Sequence, residues 1–214
     1  MHRVIFLSLR SLMLRIISTV MLLCLSLTAK AELEAVDIYS QKQLSQLIRN
    51  NQYLQRVKAD DCQLVQDIEA RAEVLKEPLY QFLWGEMLNT GTCVNTDLKR
   101  GMTLVADSAK QGLAEAMYRL ASYHDKGELV IQNKDKAMKY ALPAAYSGYI
   151  PAQMLLVKLF IEDIGSPVDY ETGYRLLHNN TFDSQHTKQQ AEHLLQQLAT
   201  KMPVSAVKRA ERGY

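Results

Sequence analysis

Apolar side chains recur three and four positions apart along most of the chain, and no segment sustains an apolar–polar alternation. That spacing puts them on one face of an α-helix, so the pattern predicts an all-α fold. Ser40 opens the first helix with Gln43 as capping-box partner, and Leu44, Leu47, Ile48, Leu54 and Val57 continue its stripe. Asp60 or Asp61 is placed to cap a second helix carrying Cys62, Leu64, Val65, Ile68, Ala72 and Leu75. Pro78 suits the first turn of a third.

From Trp84 onward the pattern repeats with a period of 36 residues. Gly91 falls on Gly127, Val94 on Val130, Ala109 on Ala145 and Gly112 on Gly148, without a gap. Asp97 falls on Asn133 and then on Asp169, while Gly101, Ala137 and Gly173 share another register position. Each unit reads as a helical hairpin. Its first helix ends at Gly91 or Gly127, where glycine adopts a left-handed conformation without steric cost. Asp97, Asn133 or Asp169 caps the second helix, and Gly112 or Gly148 ends it. The third copy is worn, with Gly165 where the register wants a glycine at 163, and Ser184 in place of the closing glycine. Hairpins of this kind bury their apolar faces only by stacking, so the expected architecture is an α-solenoid.

The first thirty-one residues stand apart. Arg3, Arg10 and Arg15 precede the apolar run Ile16–Ala29, and Ala29-Lys30-Ala31 offers small residues before a cleavage point. The run is short of the ~20 residues needed to cross a bilayer, so 1–31 is expected to be a cleaved secretory signal peptide. Cys24 lacks the small residue that precedes a lipidated cysteine. The charge balance changes accordingly. The chain holds 25 basic and 23 acidic residues, four of the basic ones lie in 1–31, and 21 remain. No basic field is left to argue for nucleic acid or an anionic membrane. Removal of the leader also leaves two cysteines, Cys62 and Cys93. In an oxidising compartment they are a pair or two separate buried thiols.

Candidate chemistry is thin. Ser205-Ala206-Val207-Lys208 has the Ser-x-x-Lys spacing of penicillin-interacting enzymes but no accompanying Lys-Thr-Gly. His186 and His193 lie two helical turns apart, roughly 10 Å, too far to share a metal. His124-Asp125 reads as a solvated helix end, and Glu69, Glu73, Lys76 and Glu77 as an exposed charged face. Lys201, Lys208, Arg209 and Arg212 form a basic tail, either solvated or facing an acidic partner. Trp84, Tyr118, Tyr123, Tyr140, Tyr146 and Tyr149 divide between core and groove. No cofactor, no metal and no catalytic constellation is expected.

The period, glycines and caps between about Pro78 and Phe182 resemble Sel1-like repeats, relatives of the tetratricopeptide family. The flanks carry a narrower likeness. Asn50–Ala72, Gly165–Leu177 and the basic end of the chain are similar to the MotX family of exported flagellar motor proteins. The resemblance implies a non-enzymatic periplasmic protein that forms the T ring with a MotY-like protein around the polar flagellar basal body. It further implies a role in recruiting and holding the sodium-driven PomA/PomB stator, with a PomB-type subunit as partner. The family's cysteines form an intramolecular disulfide, which corresponds here to Cys62 and Cys93, with Cys62 on a helix of the cap. The expected organisation is a leader over 1–31, an N-terminal helical cap over 32–77, repeats over 78–182, and a C-terminal cap and tail over 183–214. A general exported adaptor with another client, or a cell-wall-acting enzyme, are the rival readings.

Overall fold

The computed structural model describes residues 39–212. The leader expected over 1–31 lies outside them. Among the described residues every regular element is helical. The cap consists of α1 (Gln41–Arg49), α2 (Tyr53–Ala59) and α3 (Val65–Glu73). Three hairpins follow: α4 (Pro78–Thr90) with α5 (Leu98–Lys110), α6 (Ala114–Lys126) with α7 (Lys134–Tyr146), and α8 (Ile150–Ile161) with α9 (Tyr170–His178). The chain then forms α10 (Gln185–Ala199) and α11 (Val204–Glu211). Each hairpin packs on the next, α5 against α6 and α7 against α8. The chain is therefore an all-α solenoid of stacked hairpins. Its two ends continue the stack. On the N-terminal side α3 packs on α4, and on the C-terminal side α10 packs on α8 while α11 packs on α9.

The repeat is most regular in its loops. Gly91 and Gly127 end α4 and α6 at φ 69° and 74°, and Asp163 takes the same register position at φ 62°. Two residues on, Cys93, Leu129 and Gly165 are left-handed as well, at φ 62°, 61° and 100°. The third copy has thus kept the loop geometry and exchanged which of its two left-handed positions carries the glycine. Aspartate tolerates that conformation better than most side chains. Asp97 and Asn133 cap α5 and α7, their side chains accepting the N–H of Arg100 at 3.0 Å and of Lys136 at 2.9 Å. Asp169 departs from the expectation. It closes a 3₁₀ turn, Pro167–Asp169, and its side chain caps nothing; Ser166 Oγ takes the Val168 N–H instead. Pro167 forces that tight turn by fixing φ and removing a donor. Gly112 and Gly148 follow α5 and α7 at φ 95° and 86°, and Ser184 caps α10 by accepting the Thr187 N–H at 3.0 Å.

Glycine also sets how closely α4 and α5 approach. A Cβ on Gly85 would lie 2.8 Å from the Gly101 carbonyl oxygen and 2.8 Å from Val105 Cγ2. A Cβ on Gly101 would run into Asn89 Oδ1 and the Gly85 carbonyl. Backbone cannot move aside as a side-chain tip can, so any larger residue pushes the two helices apart.

The cap differs from expectation in two ways. The stripe from Leu44 to Val57 is split, because Asn51 is left-handed at φ 55° and re-aims the chain before α2. The kink turns Tyr53 and Val57 into the core, where both are buried. Neither aspartate caps α3: Asp60 closes α2 and accepts the Tyr39 hydroxyl at 2.6 Å, and α3 begins at Leu64 without a side-chain cap. Cys62 accordingly sits in the α2–α3 turn, left-handed at φ 58°, rather than on a helix.

Candidate functional site: buried carboxylates and the groove beside them

Helix α4 is buried along almost its whole length, and Glu86 is its single charged residue. Glu86, 2% exposed, accepts the Tyr123 hydroxyl at 2.7 Å, the Tyr53 hydroxyl at 3.0 Å and the Asn89 amide at 3.2 Å. Arg119 Nε stands 3.2 Å from it, and the same guanidinium donates to Tyr53 Oη at 2.7 Å and Asn51 Oδ1 at 3.1 Å. Burial, reinforced by the Glu86 charge, pushes both tyrosine hydroxyls well above their ordinary value. The network joins α2, α4 and α6, so the left-handed turn at Asn51 holds the cap to the second hairpin.

Two more buried carboxylates lie on α6. Glu115 is paired with Arg49 at 3.0 Å. Asp125 is held by Lys134 at 2.6 Å and by Lys158 at 2.8 Å, and Glu162 accepts from Lys134 at 2.7 Å. Asp125 is therefore the centre of an ion cluster spanning three helices, and not the solvated helix end that its sequence position suggests. Its neighbour His124 lies against Tyr140, ring on ring at 6.0 Å. Burial raises the Asp125 carboxyl, but the two ammonium groups outweigh it and hold it below the usual carboxylate range. A carboxyl more acidic in the folded than in the unfolded chain adds stability above its ordinary value of 3.8, and loses it as the pH falls through the depressed folded value. Asp125→Asn is thus expected to lower the urea midpoint at neutral pH and to flatten its decline on acidification. Wild-type and variant midpoints that fall in parallel would show that the cluster does not titrate in this way.

Glu86, Glu115 and Asp125 are buried and their cationic partners are not. The side chains of Arg49, Arg119, Lys134 and Lys158 keep 66%, 25%, 28% and 45% of their surface exposed. A groove of about 460 Å³ opens beside Asp125, between α6, α8 and α10. Tyr118, Ile150, Met154, Leu155 and Leu194 give it an apolar floor, and Lys126 and Lys158 stand on its edge. Tyr118 lines the groove and Tyr149 meets it edge-on at 5.4 Å, whereas Trp84 and Tyr123 are core. Tyr140 is half-buried and Tyr146 exposed.

The remaining sequence candidates fall elsewhere. Cys62 and Cys93 are bonded, with Cα atoms 5.6 Å apart, and the bridge ties the α2–α3 turn to the α4–α5 loop. Glu69 and Glu73 are not an open face, since Arg100 reaches both at 2.7 Å. The basic tail is partly engaged within the chain: Lys201 pairs with Asp163 and Arg209 with Glu171, each at 2.6 Å. Ser205 and Lys208 lie exposed on α11, and His186 and His193 exposed on α10. Among the described residues no three His, Cys, Asp or Glu side chains are placed to hold a metal. None of their helices is long and apolar enough to cross a membrane. Glu86, Arg119, Glu115 and Lys158 were not singled out by the sequence. The one local signal was Glu86, a lone charge in an otherwise uncharged helix.

Hairpins of 36 residues stacked around small-residue contacts define a Sel1-like helical-repeat solenoid with a groove along one row of helices. Over 204 residues, 93% of this chain and 97% of its relative, the sequence is 40% identical to the sodium-type polar flagellar protein MotX of Vibrio parahaemolyticus serotype O3:K6 (strain RIMD 2210633). The chain belongs to the MotX family. No protein-family model matches it. Two solved structures are similar in outline. A Sel1 repeat protein from Oxalobacter formigenes is 20% identical with a TM-score of 0.48, over 71% of this chain and 52% of that one. A protective antigen of uropathogenic Escherichia coli with an SLR fold is 19% identical with a TM-score of 0.46, over 77% and 38%. The chain thus spans about half of the first and less of the second.

Proposed function

We propose that this protein is a periplasmic component of the sodium-driven polar flagellar motor and acts there as a docking scaffold without catalysis. The observation that carries the reading is the likeness to MotX over nearly the entire length of both chains. In this reading the leader over 1–31 is removed on export, and the cap over 32–77, the repeats over 78–182 and the C-terminal cap and tail over 183–214 act as one docking body. The bridge between Cys62 and Cys93 suits an oxidising compartment. The stacked hairpins build a T ring with a MotY-like protein around the basal body, and help to recruit and hold the PomA/PomB stator through its PomB-type subunit. Solenoids of stacked repeats create extended surfaces on which partners bind. Deleting the gene is expected to leave a complete but non-rotating filament, scored by electron microscopy and by tethered-cell rotation. Wild-type swimming in the deletion, or a purified chain that recovers only non-flagellar envelope proteins, would overturn the reading.

A further inference from the structure

The groove between α6, α8 and α10 has a sign as well as a shape. Of the charged groups that line it, Lys126 and Lys158 are open to solvent, each with an exposed glutamate at long range on its outer side (Glu128 at 3.7 Å, Glu162 at 3.6 Å), while Asp125 is 2% exposed and already bound by two lysines. The same separation recurs beyond the groove. Glu115 is buried beneath Arg49, and Glu86 beneath Arg119. At these three pairs the negative end points into the protein and the positive end outward, and among the residues that line the groove the exposed charges are both cations. Its floor, from Tyr118 to Leu194, is apolar and wide enough for side chains of a second polypeptide.

We propose that this groove binds an acidic segment of a partner protein, one that interleaves Asp or Glu with aliphatic residues. The aliphatic side chains enter the floor between Met154 and Leu194, and the carboxylates meet Lys126 and Lys158 on the edge. The inference rests on the reading of the chain as a docking scaffold, and names the chemistry of what it docks. Electrostatic complementarity of this kind sets partner choice and association rate, and it weakens with salt.

The test uses the full mature chain and a short fluorescein-labelled peptide of alternating glutamate and leucine, with binding read by fluorescence anisotropy. Peptides with glutamine in place of glutamate, and with serine in place of leucine, are each expected to bind about tenfold more weakly. Binding of the parent peptide is expected to fall as salt rises. Lys126→Glu combined with Gln190→Glu changes two exposed groove positions that carry no buried partner, and is expected to weaken it about tenfold. Lys208→Glu, exposed on α11, serves as the control and is expected to leave it unchanged. Equal binding of the glutamate and glutamine peptides, equal effects of the groove and control variants, or no saturable binding at all overturns the proposal. Preference for single-stranded DNA or anionic vesicles over the peptide also overturns it. Sedimentation with isolated basal bodies separates the two levels. A wild-type chain that sediments with them but ignores the peptide loses the groove proposal alone, whereas a chain that binds the peptide and never sediments with them loses the flagellar reading.

Discussion

Replacing Glu86 by alanine is expected to destabilise the protein by about 3 kcal/mol, a large part of the stability of an ordinary domain. The loss comes from what remains. Arg119 and the hydroxyls of Tyr53 and Tyr123 keep their places around the missing carboxylate, and the cation no longer has a counter-charge. Breaking a fully buried pair costs about 3–5 kcal/mol. The lower end applies because a quarter of the Arg119 side chain reaches solvent, so water relieves part of the charge. Glu86→Gln is expected to fall between, since its carbonyl still accepts a tyrosine hydroxyl. The double variant Glu86→Leu/Arg119→Met should recover most of the loss, because it removes the charges together. Chemical denaturation of the purified protein measures all three. A Glu86→Ala midpoint within experimental error of wild type would mean that the network contributes no net stability.

Cys62→Ser is expected to cost about 3.5 kcal/mol, from the loop of 31 residues that the bridge closes in the unfolded chain. Its position concentrates the effect. The bridge, the Arg100 pairs to Glu69 and Glu73, and the Tyr53–Glu86 contact all join the cap to the hairpins. Severing the bridge therefore loosens the cap first, and in cells the loosened chain is expected to be cleared by proteases, lowering its abundance. The measurements are denaturation with and without reductant, and immunoblots of whole-cell extracts. Reductant should bring wild type to the variant's midpoint and leave the variant where it was. Unchanged midpoints and unchanged abundance would show that the remaining contacts hold the cap without it.

The all-α stack was legible in the sequence because its signals are local. A glycine that must be left-handed, a cap three residues before the N–H it takes, and a 36-residue register need no tertiary information. The errors arose where one backbone geometry has two chemical solutions. Asn51 breaks a helix whose apolar stripe continues past it, because asparagine reaches the left-handed region without announcing itself as glycine does. Asp163 does the same in the third loop, which made a preserved turn look like a drifted one. The groove was hidden for another reason. Asp125 acquires its role from Lys158, which is remote in sequence and adjacent only because α8 stacks on α7. A charge on a helix reads as solvated until the neighbouring hairpin is in place.

Trp84 offers a way to watch this junction. It is the chain's one tryptophan, 3% exposed, with the Arg100 guanidinium 5.8 Å from its ring centre. Indole emission shifts to longer wavelength on meeting water, and excitation to the red of tyrosine absorption confines the signal to this single ring beneath the cap. A red shift that precedes the loss of helical circular dichroism would time the detachment of the cap from an intact stack, without a label or a tag.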